Sequence, residues 1–399
     1  MVGSTLSLVR HYEETHPWIT FEATDVNSVL PRQWMLLGEA QSKCEHLAGT
    51  PLQPRLAQEL YTVTLIKGAL ATTAIEGNTL NEEQARGILN GTYKAPASRQ
   101  YQEQEVRNVL DALEGLHRRI MDGENIQLNK DLILDFNRQV LKGLDVDDDV
   151  IPGEIRTHSV AVASYRGAPA EDCAHLLDRL SQWLNGPTFI HEDPEIQFAL
   201  IVAKAVYAHL YLAWIHPFGD GNGRTARLVE FLILASCGLV PMPGAHLLSN
   251  HYNLTRPRYY QELARASEAQ DAIGFLNYAI EGFIDGIREV IDMVRDQQIR
   301  IAWINFVHEN FASQPTSRAT ERQRSLVLAM PIGAMVPRSE MEGLTPKVAK
   351  FYANAGPRML SRDLNHLEKM GLIRSVFGGY ENQAQSMLAF RPPMASTEP

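Results

Sequence analysis

Apolar residues recur at three- and four-residue intervals along most of residues 30–310, which predicts a mainly α-helical chain. The spacing is clearest in residues 98–120 and 195–215. Residues 227–241 are apolar on nearly every face, a pattern typical of a helix buried at the centre of a bundle. We expect this helix to end at Gly238, because glycine commonly follows the last helical turn.

Residues 156–169 break the helical pattern. Val160, Val162 and Ser164 alternate with other residues, and Gly167 follows them. This period of two predicts a short β-hairpin within the helical region.

A different arrangement begins after a long predicted helix that ends near residue 310. Residues 361–390 contain a helix with Leu364 and Leu367 facing inward, a stop at Gly371, and two short strands around the turn at 378–379. Helix, stop and hairpin in this order predict a winged helix-turn-helix.

Composition and charge support a separate terminal module. The chain has 399 residues, 45% of them hydrophobic and 21% charged, as in ordinary globular proteins of several domains. The net charge is −10, which argues against nucleic-acid binding over most of the surface. From residue 312 onward, however, the chain has 11 Lys or Arg and only 7 Asp or Glu. We therefore predict an N-terminal helical region at 1–115, a helical core at 116–311, a winged-helix domain at 312–391, and a disordered tail at 392–399.

The cysteines and the N-terminus bear on location. Cys44, Cys173 and Cys237 are odd in number and form no C-x-x-C pair, so neither a disulfide framework nor a zinc ribbon is indicated. No signal-peptide pattern follows Met1, and the longest apolar stretch is interrupted by Lys204. We expect a cytoplasmic protein that does not cross a membrane.

The chemistry concentrates in residues 214–227, which read WIHPFGDGNGRTAR. Glycines flank Asn222 just before a predicted helix, so successive N–H groups and the positive end of the helix can bind an anion. Arg224 and Arg227 lie three residues apart, on one helical face, and can present two guanidinium groups to phosphate oxygens. These features predict a polyphosphate site.

Two further residues of this stretch complete a set for phosphoryl or nucleotidyl transfer. Asp220 offers a single carboxylate for a hydrated Mg²⁺ that bridges phosphates. His216, at the end of the preceding apolar helix, has the ordinary pKa of a proton acceptor near neutral pH. Each feature alone is more often structural, but their combination within twelve residues favours a site.

These residues resemble the Fic family, whose signature H-x-F-x-[DE]-G-N-G-R-x-x-R is filled here at every specified position from His216 to Arg227. The resemblance implies a Fic-type helical bundle with a small β-hairpin flap, and transfer of AMP from Mg-ATP to a Ser, Thr or Tyr hydroxyl of a target protein, including the chain itself. It implies His216 as the base, Asp220 as the Mg²⁺ ligand, and Arg224 and Arg227 as ligands of the β- and γ-phosphates. The other implied nucleotide-binding residues are Gly221, Asn222, Gly223, Thr225, Ala226, Asn253, Tyr259, Tyr260 and Leu263.

The same resemblance extends to two regulatory or target-binding segments. The hairpin residues Val160, Ala161 and Val162 would align the target by strand addition. Thr72, Glu76 and Gly77 resemble the family's inhibitory motif, within a helix at about 61–77. Glu76 docked on Arg227 would occupy the position of the γ-phosphate.

Other functions stay open at this point. The terminal module could bind DNA through Arg358, Arg362 and Lys369, or it could bind a protein. The chain as a whole could be a nucleotide-sensing DNA-binding regulator, or a Fic enzyme with another activity such as removal of AMP. Fic proteins of this type often form homodimers, but the target and the oligomeric state do not follow from the sequence.

Overall fold

The computed structural model describes residues 10–23, 31–162, 165–353, 356 and 358–388, and they are mostly helical, as predicted. The α-helices are α1 (His11–Thr15), α2 (Pro31–Gly49), α3 (Pro54–Ile75), α4 (Glu82–Leu89), α5 (Gln100–Met121), α6 (Lys130–Val140), α7 (Ala170–Leu184), α8 (Pro194–Ile215), α9 (Asn222–Ser236), α10 (Leu247–Leu254), α11 (Arg256–Ala269), α12 (Ile273–Ala312), α13 (Arg318–Ala329), α14 (Pro346–Tyr352) and α15 (Arg358–Lys369). The strands are β1 (Ala161–Val162), β2 (Tyr165–Arg166), β3 (Ile373–Val376) and β4 (Gly379–Asn382).

The chain divides into two compact units, residues 1–291 and 292–399. The division falls inside α12, and the limits predicted from the sequence at 115, 311 and 391 stay predictions. In the first unit α8 packs along α9, while α3 packs against α5 and α10. This arrangement buries α8 and α9 at the centre of the helical bundle.

The apolar composition of α8 follows from that burial. Of the described helices, α8 alone is long and apolar enough to span a bilayer, but 72% of its most apolar window is buried inside the protein. Helix α9 is buried on nearly all sides as well, and it ends at Ser236, two residues before Gly238 adopts a left-handed φ of 73°. The loop between these two helices is therefore held on both sides by the core.

The second unit has the order of elements expected of a winged helix. Helices α13, α14 and α15 are followed by the antiparallel pair β3–β4, with Val376 opposite Gly379 across the turn. Leu364 and Leu367 of α15 are fully buried, and Gly371 ends the segment with a φ of 69°. Trp303, from the last turns of α12, also belongs to this core.

A buried carboxylate ties the helices of the second unit together. Asp363 is 1% exposed and accepts hydrogen bonds from Arg322 Nε at 2.6 Å, Gln323 Nε2 at 2.7 Å and Tyr352 Oη at 2.7 Å. Burial alone would raise the pKa of Asp363, but these hydrogen bonds lower it below its ordinary value. The ionised carboxylate is thus the form that stabilises this unit.

We predict that Asp363→Ala lowers the free energy of unfolding of this unit by about 3–5 kcal/mol, because Arg322, whose side chain is only 12% exposed, is left without its partner. Since the pKa of Asp363 is lowered by folding, its contribution is present at neutral pH and is lost as the pH falls through the folded pKa. Amide hydrogen exchange of α15 in the full chain measures the effect. Glu321→Ala, which removes an exposed carboxylate, is the control, and equal losses in both variants would contradict the prediction.

Candidate nucleotide-binding site

The loop between α8 and α9 begins with a left-handed residue. His216 caps α8 with φ 49° and ψ 58°, and its N–H donates to Leu212 O at 2.9 Å. A non-glycine residue adopts this conformation at a cost of about 1–2 kcal/mol, so the surrounding packing must hold it. The turn ends the helix and leaves the imidazole on the wall of a cavity.

The side chain of Asn222 closes the loop. Its Oδ1 accepts from Phe218 N at 2.9 Å and its Nδ2 donates to Phe218 O at 2.8 Å, while the ring of Phe218 is buried. The side chain expected to bind phosphate is therefore committed to the loop itself. Only main-chain groups of Asn222 can serve an anion, as the first N–H groups of α9 lack partners within the helix.

Two glycines are required here by close packing. Gly221 has a φ of 77°, and a Cβ atom there would lie 2.9 Å from Asn137 Nδ2. A Cβ atom on Gly223 would lie 2.6 Å from Glu76 Oε1. Glycine thus brings the positive N-terminal end of α9 directly to the cavity, which favours an anionic ligand.

Arg224 holds the predicted metal ligand. Its Nη2 donates to both carboxylate oxygens of Asp220, at 2.9 and 3.0 Å, and its Nη1 donates to Glu105 Oε1 at 2.8 Å. Arg224 is buried, whereas the side chain of Asp220 is 48% exposed and lines the cavity. The guanidinium expected to bind the β-phosphate is thus engaged by two carboxylates.

Arg227 carries the contact predicted for the inhibitory motif. It is 2% exposed, and its Nη2 donates to Glu76 Oε1 at 2.6 Å and to Thr72 O at 2.9 Å. Glu76 follows the last residue of α3, and Gly77 leaves that helix with a φ of 103°. Arg227 Nε is buried and has no hydrogen-bond partner among the described residues.

These groups face one cavity of about 620 Å³, a size typical of small-ligand sites. Its polar lining includes His216, Asp220, Arg227 and the first residues of α9. Its apolar and aromatic lining includes Ile75, Ala213, Trp214, Tyr259, Tyr260, Leu263 and Ala264. A phosphate group and a planar base therefore find complementary surfaces in the same space.

The residues predicted to contact the adenine lie in part where the sequence interpretation expected them. Tyr259 is buried, with its hydroxyl 2.9 Å from His209 Nε2, and Tyr260 Oη donates to Ile75 O at 3.3 Å. Ser267 Oγ donates to Leu263 O and accepts from Trp214 Nε1. Among the predicted site residues, Ala226 lines the cavity, whereas Arg224, Thr225 and Asn253, the last on α10, do not.

The predicted hairpin is present and adjoins the site. Ala161 pairs with Arg166 and Val162 with Tyr165 in antiparallel register, and Val160 and Ala161 line the cavity. Ser164 lies outside the described residues. The hairpin thus forms one rim of the cavity.

The sequence interpretation missed three residues that hold the loop. Glu105 pairs with Arg224, Asn137 Nδ2 donates to Asp220 O at 2.9 Å, and Arg156 Nε donates to His216 O at 2.7 Å. The signal for Glu105 and Asn137 was a polar residue on the buried face of an amphipathic helix. We find no sequence signal for Arg156 beyond its position before the hairpin.

Comparisons with known proteins agree on one family. A model of the Fic/DOC family matches residues 127–234. Protein adenylyltransferase fic-1 of Caenorhabditis briggsae is 32% identical over 204 residues, which are 51% of this chain and 38% of that relative. The fic-1 protein of Caenorhabditis elegans is 32% identical over 204 residues, 37% of its length. This chain thus spans less than two fifths of the length of the curated relatives it matches.

Solved structures have the same fold. A Fic family protein from Desulfovibrio desulfuricans G20 superposes with a TM-score of 0.54 at 23% identity, over 89% of this chain and 97% of that one, which supports the fold alone. Fic-1 from Caenorhabditis elegans superposes with a TM-score of 0.54 at 27% identity, over 67% of this chain and 74% of that one.

We predict that the imidazole of His216 stays neutral down to about pH 5. Burial lowers the pKa of His216 to about 4, because it penalises the charged imidazolium; Arg156 lowers it further, while Glu76 and Asp220 oppose the shift. The neutral ring, which can accept a proton, is therefore the form present at physiological pH. An NMR titration of labelled histidine measures this pKa, and a value at or above the ordinary 6.5 or so would contradict the prediction.

Proposed function

We propose that this chain, which carries a Fic domain, is a protein adenylyltransferase that transfers AMP from Mg-ATP to a Ser, Thr or Tyr hydroxyl of a target protein and of the chain itself. The observation that carries the proposal is the single cavity shared by the His216 imidazole, the N-terminus of α9 and Arg227. The names of the relatives, protein adenylyltransferases, point to the same reaction.

In the proposed reaction the hydroxyl oxygen of the target bonds to the α-phosphorus of ATP, and the bond to pyrophosphate breaks. His216 accepts the hydroxyl proton, for which its neutral imidazole on the cavity wall is suited. The N-terminus of α9 and Arg227 offset the charge of the phosphates, and their fixed positions stabilise the charge that develops in the transition state.

Asp220 would hold the magnesium ion. Asp220 and Glu76 are the carboxylates among the described residues that line the cavity, and Glu76 is paired with Arg227, which leaves Asp220 for the metal. That donor set fits Mg²⁺, which often takes one protein carboxylate together with phosphate oxygens and water. The ion would neutralise phosphate charge, while Arg224 keeps Asp220 oriented toward the cavity.

The pair of Glu76 and Arg227 would inhibit the enzyme. A carboxylate at 2.6 Å from Arg227 Nη2 occupies the donor that the γ-phosphate needs, and its negative charge repels the triphosphate. ATP could then bind only in a pose that is wrong for attack on the α-phosphorus. Release of the turn at Glu76 would restore the productive pose.

We predict that Glu76→Gly raises incorporation of labelled AMP about tenfold to a hundredfold. A hydrogen bond between charged groups contributes about 1.5–3 kcal/mol. The substitution removes a carboxylate that competes with the γ-phosphate for Arg227 by about that free energy, which corresponds to the stated increase. Glu59→Gly is the matched control, since Glu59 is an exposed residue of the same helix.

A second substitution tests whether the incorporated AMP comes from catalysis by His216. Adding His216→Ala to the Glu76→Gly chain should abolish AMP transfer while ATP binding survives. An unchanged rate in Glu76→Gly contradicts autoinhibition, and transfer that persists without His216 removes that residue from the role of base. Loss of AMP from a modified protein, in place of gain, would favour the alternative activity in which Glu76 positions water.

A second function, DNA binding by the winged-helix unit, is favoured by one surface. Arg358, Arg362, Asn365 and Lys369 are exposed and follow each other at intervals of four, three and four along α15, hence on one face. None of the three cations forms an ion pair among the described residues. Such a stripe complements the phosphates of a duplex.

We predict that replacing Arg358, Arg362 and Lys369 with alanine weakens binding to duplex DNA and lowers the slope of log affinity against log salt by about three. Fluorescence anisotropy with a labelled duplex measures both. Alanine at Arg374 and Lys347, which are paired with acidic residues, is the control. Equal binding by both variants would contradict the assignment and leave a protein partner as the occupant of this face.

The remaining proposals concern the setting of the protein. A cytoplasmic location is supported by the three free cysteines and stays a proposal. A homodimer is proposed only because Fic proteins of this type often form homodimers.

A further inference from the structure

The last turn of α8 is capped by residues from the hairpin region. The final carbonyl groups of a helix have no partner within it and need donors from elsewhere. Trp214 O accepts from Tyr165 Oη at 2.6 Å and from Ala168 N at 3.3 Å. Ile215 O lies 3.5 Å from Arg156 Nη2. The end of α8 and the hairpin are therefore one hydrogen-bonded assembly.

Arg156 is the centre of this assembly. Its Nε donates to His216 O at 2.7 Å, its Nη1 to His158 O at 2.6 Å, and its Nη2 to Ala168 O at 2.5 Å. Its own N–H donates to Pro217 O at 3.0 Å. One guanidinium thus binds a carbonyl before the hairpin, that of His158, and one after it, that of Ala168. It also binds the carbonyl of His216, the proposed base.

The burial of Arg156 indicates a specific role. It is 5% exposed, and no carboxylate forms an ion pair with it among the described residues. A buried charge without an ion-pair partner is costly, and the carbonyl dipoles that accept from this guanidinium offset its desolvation. A lysine has the same charge but not the planar fork that reaches several carbonyls at once.

The hairpin also touches His216 directly. A Cβ atom on Gly167 would lie 2.7 Å from His216 Cβ and 3.0 Å from Arg156 Nη2. Gly167 N donates in turn to Val160 O at 3.1 Å, across the base of the hairpin. A shift of the hairpin would therefore displace the side chain of His216 as well.

We infer that Arg156 is a positioning residue for AMP transfer, which fixes the hairpin that receives the target protein at a set distance from the His216 imidazole. This inference rests on the proposed function, because only a reaction with a protein acceptor requires that distance. Arg156 is not among the described residues that line the cavity, so we expect its replacement to change the affinity for ATP little.

The test uses the Glu76→Gly chain as the active parent and adds Arg156→Met or Arg156→Lys. Both additions should lower kcat/KM for the target protein about a hundredfold, the loss expected for a misplacement of about 1 Å, while the dissociation constant of ATP changes less than about twofold. Arg119→Met, which removes a surface arginine paired with Glu124, is the matched control.

The lysine variant distinguishes positioning from charge. If Arg156→Lys restores the kcat/KM of the parent, the charge alone suffices and the inference is overturned. If both variants keep the parent's kcat/KM for the target, the inference is overturned although the proposed function stands. An inactive parent overturns the proposed function itself.

Amide hydrogen exchange supplies a readout that needs no activity. Disruption of the side-chain hydrogen bonds from Arg156 should speed exchange at Gly167 N–H and neighbouring hairpin amides about tenfold in both variants. The α5 amides, which are remote in sequence, should be unchanged. Unchanged exchange in the hairpin would show that Arg156 does not hold it and would overturn the inference even with an inactive parent.

Discussion

The site depends on one constraint: Arg227 is a cation buried in the core and requires an anionic partner. It is 2% exposed, and removing one member of a buried pair costs about 3–5 kcal/mol. In this structure the carboxylate of Glu76 fills that need. A terminal phosphate would satisfy the same donors. The Glu76 carboxylate and a bound phosphate would therefore compete for Arg227. The proposed inhibition and the proposed binding of ATP then follow from one electrostatic requirement.

The elements around Arg227 explain how the Glu76 carboxylate reaches it. Helix α9 approaches the turn at Glu76 closely because Gly223 has no side chain, and a Cβ atom there would collide with Glu76 Oε1. Opposite that turn, the hairpin and Arg156 cap the end of α8 and hold His216 in a left-handed conformation. The cavity is thus bounded by parts that are each fixed by main-chain hydrogen bonds.

Much of this was predictable, and the exceptions have a common cause. The helices, the hairpin and the loop from His216 to Arg227 were expected from local periodicity and residue pattern. The approach of Glu76 to Arg227 was implied only by the resemblance to the Fic family. The pairing of Glu105 with Arg224 joins residues 119 positions apart, and that of Arg156 with His216 joins residues 60 apart. Such contacts depend on how helices pack, which local patterns do not encode. Asn222 shows a further limit, since residue type alone does not tell whether an amide faces a ligand or its own loop.

The most direct measurement of the central claim is a crystal structure of the Glu76→Gly chain with Mg²⁺ and a non-hydrolysable ATP analogue. The account predicts the terminal phosphate on Arg227, at the position left by the Glu76 carboxylate, and the α-phosphorus facing the His216 imidazole across open space. A triphosphate bound away from Arg227, or an α-phosphorus screened from His216, would contradict it.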